Sequence, residues 1–67
     1  MEVELVSIGD ELLLGYTIDT NAAFFAREAA ALGVRVVRRA TVGDGADEIA
    51  SAVKEALVRT GAVITSG

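Results

Sequence analysis

Two kinds of segment alternate along this sequence, and they differ in the spacing of their apolar residues. Short runs rich in β-branched residues predict strands over Val3–Ile8, Val34–Val42 and Ala62–Thr65. Between these runs, apolar residues recur every three or four positions, which predicts one helix over Thr20–Leu32 and a second helix opened by Asp44. The β-α-β-α-β order predicts an α/β fold whose strands are parallel and joined by right-handed crossovers.

Acidic residues and glycines mark the ends of both predicted helices. Asp19 can cap the first helix, and Gly33 follows it where a left-handed residue belongs. Asp44, with Asp47 three residues later, is a variant of the capping box for the second helix, which Gly61 ends. The stripe that the first helix is expected to bury consists of Ala22, Phe25, Ala29 and Leu32.

The charges on the strands predict their order in the sheet. The third run is apolar on both faces, as a strand with neighbours on both sides should be. The second run carries Arg35, Arg38 and Arg39, which suits an exposed edge. The predicted order is therefore 2-1-3, with the first strand in the middle and more strands expected beyond the third. Ligands of such sheets bind at the carboxyl ends of the strands, so we expect a crevice between the turn after Ile8 and the turn after Thr65.

The composition excludes several kinds of site and partner. The 67 residues contain no Cys, no His and no Pro, which excludes Ser-His-Asp catalysis, thiolate chemistry and metal sites built on imidazole or sulfur. Ten acidic residues against six basic ones give a net charge of −4, which argues against a nucleic-acid partner. Apolar runs are shorter than the roughly 20 residues of a membrane span, and the start Met1–Glu4 is acidic, unlike a signal peptide. We expect a soluble, cytoplasmic protein that contacts no membrane.

Candidate ligand-binding residues lie beside the expected crevice. Gly9 permits a sharp turn, and Asp10 and Glu11 follow it with two carboxylates. Asp44 could add a third oxygen ligand, and Asn21 could present its amide. Carboxylates at this place suit a divalent cation, ribose hydroxyls or ring N–H donors rather than a bare phosphate. The alternative is that Asp10 and Glu11 are solvated turn residues and that Asp44 only caps a helix.

These residues resemble the opening signature of the molybdopterin-binding (MoCF biosynthesis) domain family. The matching segments are Gly9-Asp10-Glu11-Leu12-Leu13, Gly15, Asp19-Thr20-Asn21, Val42-Gly43-Asp44 and Val63-Ile64-Thr65-Ser66-Gly67. The short spacing from Gly9 to Asn21 is similar to that of the CinA (competence/damage-inducible protein A) branch. Ala29 stands where the family usually has Leu, and the family's Gly-Gly-Leu-Gly-Pro-Thr loop would begin at Ser66-Gly67.

The resemblance implies a three-layer α/β/α sandwich whose parallel sheet begins in the order 2-1-3, with residues 1–67 as the N-terminal portion of a single larger domain. CinA-like proteins are linked to pyridine-nucleotide salvage. This implies a small nucleotide or pterin as ligand, metal-dependent hydrolysis of the ADP-ribose pyrophosphate bond, and a homo-oligomer. A separate C-terminal domain of those proteins removes the amide from nicotinamide mononucleotide.

The resemblance also assigns roles to residues. It implies catalytic roles for Glu11 and Asp44 and a divalent metal such as Mg²⁺ held by Asp10, Glu11 and Asp44. The ligand contacts that it implies are Gly9, Asp10, Asn21, Ser66 and Gly67.

Other functions remain open at the level of the sequence. The domain could bind molybdopterin or a nucleotide without reacting, could serve oligomerisation, or could belong to an enzyme of molybdenum-cofactor biosynthesis. A receiver-type signalling domain is disfavoured, because the end of the third strand carries Thr65 and Ser66 instead of a phosphate-accepting Asp.

Overall fold

The computed structural model describes all 67 residues and contains one sheet of three parallel strands. The strand order is β2-β1-β3, which confirms the predicted 2-1-3 arrangement. The elements in chain order are β1 (Glu2–Ile8), α1 (Asp10–Leu13), α2 (Thr20–Ala31), β2 (Arg35–Val42), α3 (Ala46–Thr60) and β3 (Val63–Ser66). The bounds of the strands and of α2 agree with the sequence prediction to within one residue.

The two long helices cover opposite faces of the sheet. Glu4 and Ser7 are three residues apart on β1, so their side chains point to opposite faces. Glu4 is bound by Arg59 of α3, whereas Ser7 lies near Asp19, which directly precedes α2, and lowers the pKa of its carboxyl. The α/β/α layering is therefore confirmed.

The hydrophobic core is centred on β1. Its residues Val3–Ser7 are all buried, because this strand has a neighbour on each side and a helix on each face. The helices add only alanines to the fully buried set, namely Ala22, Ala29 and Ala56. Two residues that were expected on the buried stripe of α2 are exposed, Phe25 at 38% and Leu32 at 83%. Leu32 lies beyond the last residue of the helix, Ala31.

A one-turn helix that the sequence pattern did not predict follows β1. The carbonyl of Gly9 accepts hydrogen bonds from the backbone N–H groups of Leu12 and Leu13, at 3.2 and 3.1 Å. These bonds close α1, a helix of four residues. Its apolar residues are too few to form a periodic stripe, so the sequence pattern carries no signal for this helix.

The ends of the longer helices confirm three of the four predicted end residues. One of them is Gly33, which follows α2 in the left-handed conformation with φ of 80°. Asp19 caps α2 by accepting a hydrogen bond from the N–H of Ala22, and Gly61, with φ of 79°, ends α3 in the left-handed conformation. The predicted cap of α3 by Asp44 is wrong: Gly45 occupies the N-cap position, and no side chain caps this helix. None of the helices combines the length and apolar character that crossing a membrane requires.

A buried glutamate on β1 connects three elements. Glu4 is 2% exposed, and its two carboxylate oxygens accept hydrogen bonds from Nε and Nη2 of Arg59 on α3, both at 2.8 Å. Nε of Arg38 on β2 lies 3.6 Å from the same carboxylate. Two hydrogen bonds from one guanidinium offset the cost of burying a carboxylate better than a single bond does. Glu4 therefore joins β1 to both α3 and β2.

Candidate ligand-binding site

A small cavity opens at the carboxyl ends of β1 and β3, where the crevice was expected. Its volume is about 180 Å³. Its walls come from the end of β1, from α1, from the segment that leads into α2 and from the end of β3. The lining residues are Ile8, Glu11, Leu12, Thr17, Ile18, Asp19, Thr20, Asn21, Ser66 and Gly67. Larger depressions, of about 410 and 350 Å³, lie on the outer side of α3 and between α2 and β2, away from these strand ends.

The polar groups of the cavity are mostly hydrogen-bond acceptors or hydroxyls. Carboxylates come from Glu11 and Asp19, and hydroxyls come from Thr17, Thr20 and Ser66. The side-chain amide of Asn21 completes the set, and no Lys or Arg contributes to the lining. Such a surface suits ligand groups that donate hydrogen bonds, including ribose hydroxyls and ring N–H groups, and it repels an unaccompanied phosphate.

Gly9 supports the position of Glu11 without lining the cavity itself. A Cβ atom added at Gly9 would lie 2.6 Å from Oε1 of Glu11, so the glutamate carboxylate occupies space that any other residue would fill. Gly9 is buried, and its N–H donates to the carbonyl of Val42 at 2.9 Å. The structure therefore gives the predicted ligand residue Gly9 a supporting place behind Glu11.

Asp10 and Asp44 form a pair at the rim, outside the cavity lining. The N–H of Asp44 donates to Oδ1 of Asp10 at 3.0 Å, and the N–H of Asp10 lies 3.4 Å from Oδ2 of Asp44 as a second, longer bond. Both residues are exposed. This pairing explains why Asp44 does not cap α3, since its carboxylate is directed at the backbone of Asp10 at the start of α1. Gly43 leaves room for the pair, because a Cβ atom at that position would lie 2.6 Å from Oδ1 of Asp10.

The expected metal ligands are therefore divided between two neighbouring places. Glu11 lies in the cavity, whereas Asp10 and Asp44 lie beside it, and no group of three acidic side chains converges on one point. The protein alone thus provides no closed metal cage. The chemistry of the donor set still fits Mg²⁺, which is usually held by one or two carboxylates together with substrate phosphates and water.

Asp19 is the site residue to which the sequence analysis gave only a structural role. Its pKa is lowered first by hydrogen bonding with the Ser7 hydroxyl and then by the N–H of Ala22 and the charge of Arg39, against the opposing effect of burial. The cap signal at Asp19 was visible in the sequence, but its place in the cavity depends on how α2 packs against β1. Thr17, Thr20 and the apolar residues Leu12 and Ile18 were likewise not assigned to the site.

Comparison with known proteins agrees with the fold and the motifs. Residues 4–67 match the family described as "Probable molybdopterin binding domain". A CinA-like protein of Gemmatimonas aurantiaca is 75% identical over all 67 residues, and a CinA-like protein of Desulfovibrio desulfuricans is 46% identical. The chain spans 16% of the length of each of these curated relatives.

A solved structure is similar along the whole chain. It is the CinA protein of unknown function from Thermoplasma acidophilum, which superposes with a TM-score of 0.93 at 36% identity and covers 100% of this chain and 41% of its own. The agreement therefore extends from single motifs to the path of the backbone. The chain belongs to the molybdopterin-binding (MoCF biosynthesis) domain family, in its CinA-like branch.

Proposed function

We propose that these residues form the N-terminal portion of a domain that binds ADP-ribose or a related pyrophosphate compound and hydrolyses it with the help of a divalent metal. The observation that carries the proposal is the juxtaposition of two features. One is the cavity lined by acceptors and hydroxyls, and the other is the Asp10–Asp44 pair beside it. The first suits a sugar or ring, and the second suits the cation that a pyrophosphate requires.

The cavity would hold the part of the ligand that donates hydrogen bonds. Glu11 accepts from hydroxyl or ring N–H groups, and the amide of Asn21 can both donate and accept. With a volume of about 180 Å³, the cavity suits one ribose or one ring better than a whole dinucleotide. The remainder of the ligand would then extend towards the rim, past Asp10 and Asp44.

The negative charge of the pyrophosphate requires compensation at the rim. A divalent ion there would polarise the phosphorus–oxygen bond and lower the pKa of a bound water. Asp10 and Asp44 would hold the ion through carboxylate oxygens, and Glu11 would orient the attacking water from the cavity side. We assign the catalytic roles to Glu11 and Asp44 on this basis.

The relatives' length decides which protein should be assayed. Because the chain spans 16% of the curated relatives, we propose that it is the beginning of a longer CinA-like protein, and the experiments use that full-length protein. ADP-ribose is titrated calorimetrically in the presence of Mg²⁺ and again in the presence of a chelator. We expect tighter binding with Mg²⁺, because two exposed carboxylates repel the pyrophosphate until a cation intervenes. Equal affinity in both conditions would contradict a metal-assisted site.

A second function is supported by the neutral part of the lining. Hydroxyl and amide groups from Thr17, Thr20, Asn21 and Ser66 can bind a pterin ring without any reaction, as the description of the family suggests. Metal-independent binding of a pterin, with no turnover of ADP-ribose, would favour this non-catalytic function over hydrolysis.

A further inference from the structure

Asp19 lies at the junction of the cavity, helix α2 and the buried end of β1. Its Oδ1 atom accepts a hydrogen bond from the N–H of Ala22 at 3.0 Å. Ala22 is 1% exposed, so the position of the donating N–H group is fixed by packing. Asp19 also lines the cavity, two positions before Asn21 in the chain.

The same carboxylate is connected to the sheet. The hydroxyl of Ser7, which is 3% exposed on β1, lies near this carboxylate and lowers its pKa. Ser7 lies opposite Ser66 in the parallel register of β1 and β3, and Ser66 lines the same cavity. Asp19 therefore lies between the end of β1, which is paired with Ser66 of β3, and the helix start that carries Asn21.

We propose that Asp19 is a positioning residue of the ligand site, which fixes Asn21 at the cavity wall by holding the N–H of Ala22 in the first turn of α2. The inference rests on the proposed function for the identity of the ligand, but it assigns Asp19 a role beyond that of a helix cap.

Two physical effects support this role. The first turn of a helix has backbone N–H groups without helical partners, and it frays when its cap is removed. Asn21 is the second residue of that turn, so fraying would move its side-chain amide away from the ligand. The second effect is charge: the carboxyl of Asp19 has a pKa lowered below its ordinary value of 3.8, so the anion that accepts from Ala22 is the form present at neutral pH.

The test is a double-mutant cycle in the full-length protein, with ADP-ribose as the titrant. We expect Asp19→Ala to weaken binding about tenfold on the wild-type background and less than about twofold on the Asn21→Ala background, since residues that act as a unit are not additive. Asp19→Asn should restore most of the affinity, because Asn is also a good N-cap. Asp47→Ala is the matched control: it removes an exposed carboxylate from the first turn of α3, outside the cavity, and should leave the affinity unchanged.

Two results would overturn the inference. Unchanged affinity in folded Asp19→Ala protein would show that the residue positions nothing. Equal losses on both backgrounds would show that Asp19 contacts the ligand by itself rather than acting through Asn21. If Asp19→Ala does not fold, Ser7→Ala replaces it in the cycle, because it removes only the hydroxyl partner, and the same two results apply.

A separate measurement distinguishes this inference from the proposed function. If the wild-type protein binds no ADP-ribose, the proposed ligand is wrong, and hydrogen exchange at the backbone amides of Asn21 and Ala22 decides the positioning role without any ligand. Faster exchange in Asp19→Ala, with no change at these amides in Asp47→Ala, would support it. Unchanged exchange in Asp19→Ala would overturn it.

Discussion

Glu11 and Asp44 follow neighbouring strands, but their carboxylates have different surroundings. Glu11 folds back over Gly9 and faces the cavity, whereas the carboxylate of Asp44 is directed at the backbone of Asp10. In the proposed mechanism the two residues therefore act at different points, Glu11 on the water or the ligand and Asp44 on the cation. Substituting Glu11 and Asp44 separately should therefore distinguish the two roles.

At the residue scale we predict that Glu11→Gln and Asp44→Asn each lower the rate of ADP-ribose hydrolysis about 100-fold. Both changes keep the shape of the side chain and remove one important charge, which is worth about 2–4 kcal/mol of transition-state stabilisation. The melting temperature should change little, because both residues are exposed and Asp44 does not cap α3. Turnover and thermal unfolding are measured for each variant, with Asp47→Asn as the control. Full turnover in both variants would leave only the binding function.

At the scale of elements, the ion pair between Glu4 and Arg59 is the clearest side-chain connection between the sheet and α3. The pKa of Glu4 is lowered, first by hydrogen bonding with Arg59 and then by the charges of Arg59 and Arg38, although desolvation acts in the opposite direction. The same contact raises the pKa of Arg59. Because the folded-state pKa of Glu4 lies below its ordinary value of 4.5, its contribution to stability is complete above that pH.

We predict that this contribution disappears as the pH falls below 4.5 and through the folded-state pKa of Glu4. Glu4→Gln should lower the midpoint temperature of unfolding at pH 7. In this variant the midpoint should also fall less steeply than in the wild type as the pH is lowered. Glu2→Gln on the same strand is the control, because the pair of Glu2 with Arg35 is exposed at 3.8 Å and such pairs contribute at most about 1 kcal/mol. Unfolding is followed from pH 7 to pH 3. Parallel pH profiles for wild type and Glu4→Gln would contradict the prediction.

At the scale of the whole molecule, the buried core is small for the amount of apolar surface. Only ten of the 67 residues are buried, and several large apolar residues remain in contact with solvent. Those that are at least 80% exposed are Tyr16, Ile18, Leu32 and Val58. Strand β3 pairs only with β1, which leaves one of its edges without a hydrogen-bonded neighbour within these residues.

We therefore predict that the 67 residues alone do not form a stable monomer. A chain of this length buries too little apolar area to offset its conformational entropy, and exposed apolar side chains favour association. Circular dichroism during heating, combined with sedimentation, tests the prediction. A cooperative transition from a strictly monomeric species would contradict it.

Much of the fold was predictable because local patterns and global topology agree. Apolar periodicity located the strands and the two long helices, and the arginines of β2 indicated the edge that produces the order β2-β1-β3. The composition also restricted the chemistry, since a chain without His or Cys offers mainly carboxylates, hydroxyls and amides. These properties depend on neighbouring residues or on residue counts, so the sequence by itself determined them.

Only the tertiary structure decided which polar groups meet. It paired Asp44 with Asp10 instead of with α3, enclosed Glu4 between Arg59 and Arg38, and brought Asp19 to the same cavity as Glu11 and Ser66. Except for Asp19 and Glu11, the residues brought together are more than 30 positions apart in the chain. Their proximity depends on strand register for Glu4 and Arg38 and on how helices pack on the sheet for Glu4 and Arg59. The residue types were visible in the sequence, but the distances between them follow from strand register and helix packing, which local spacing does not encode.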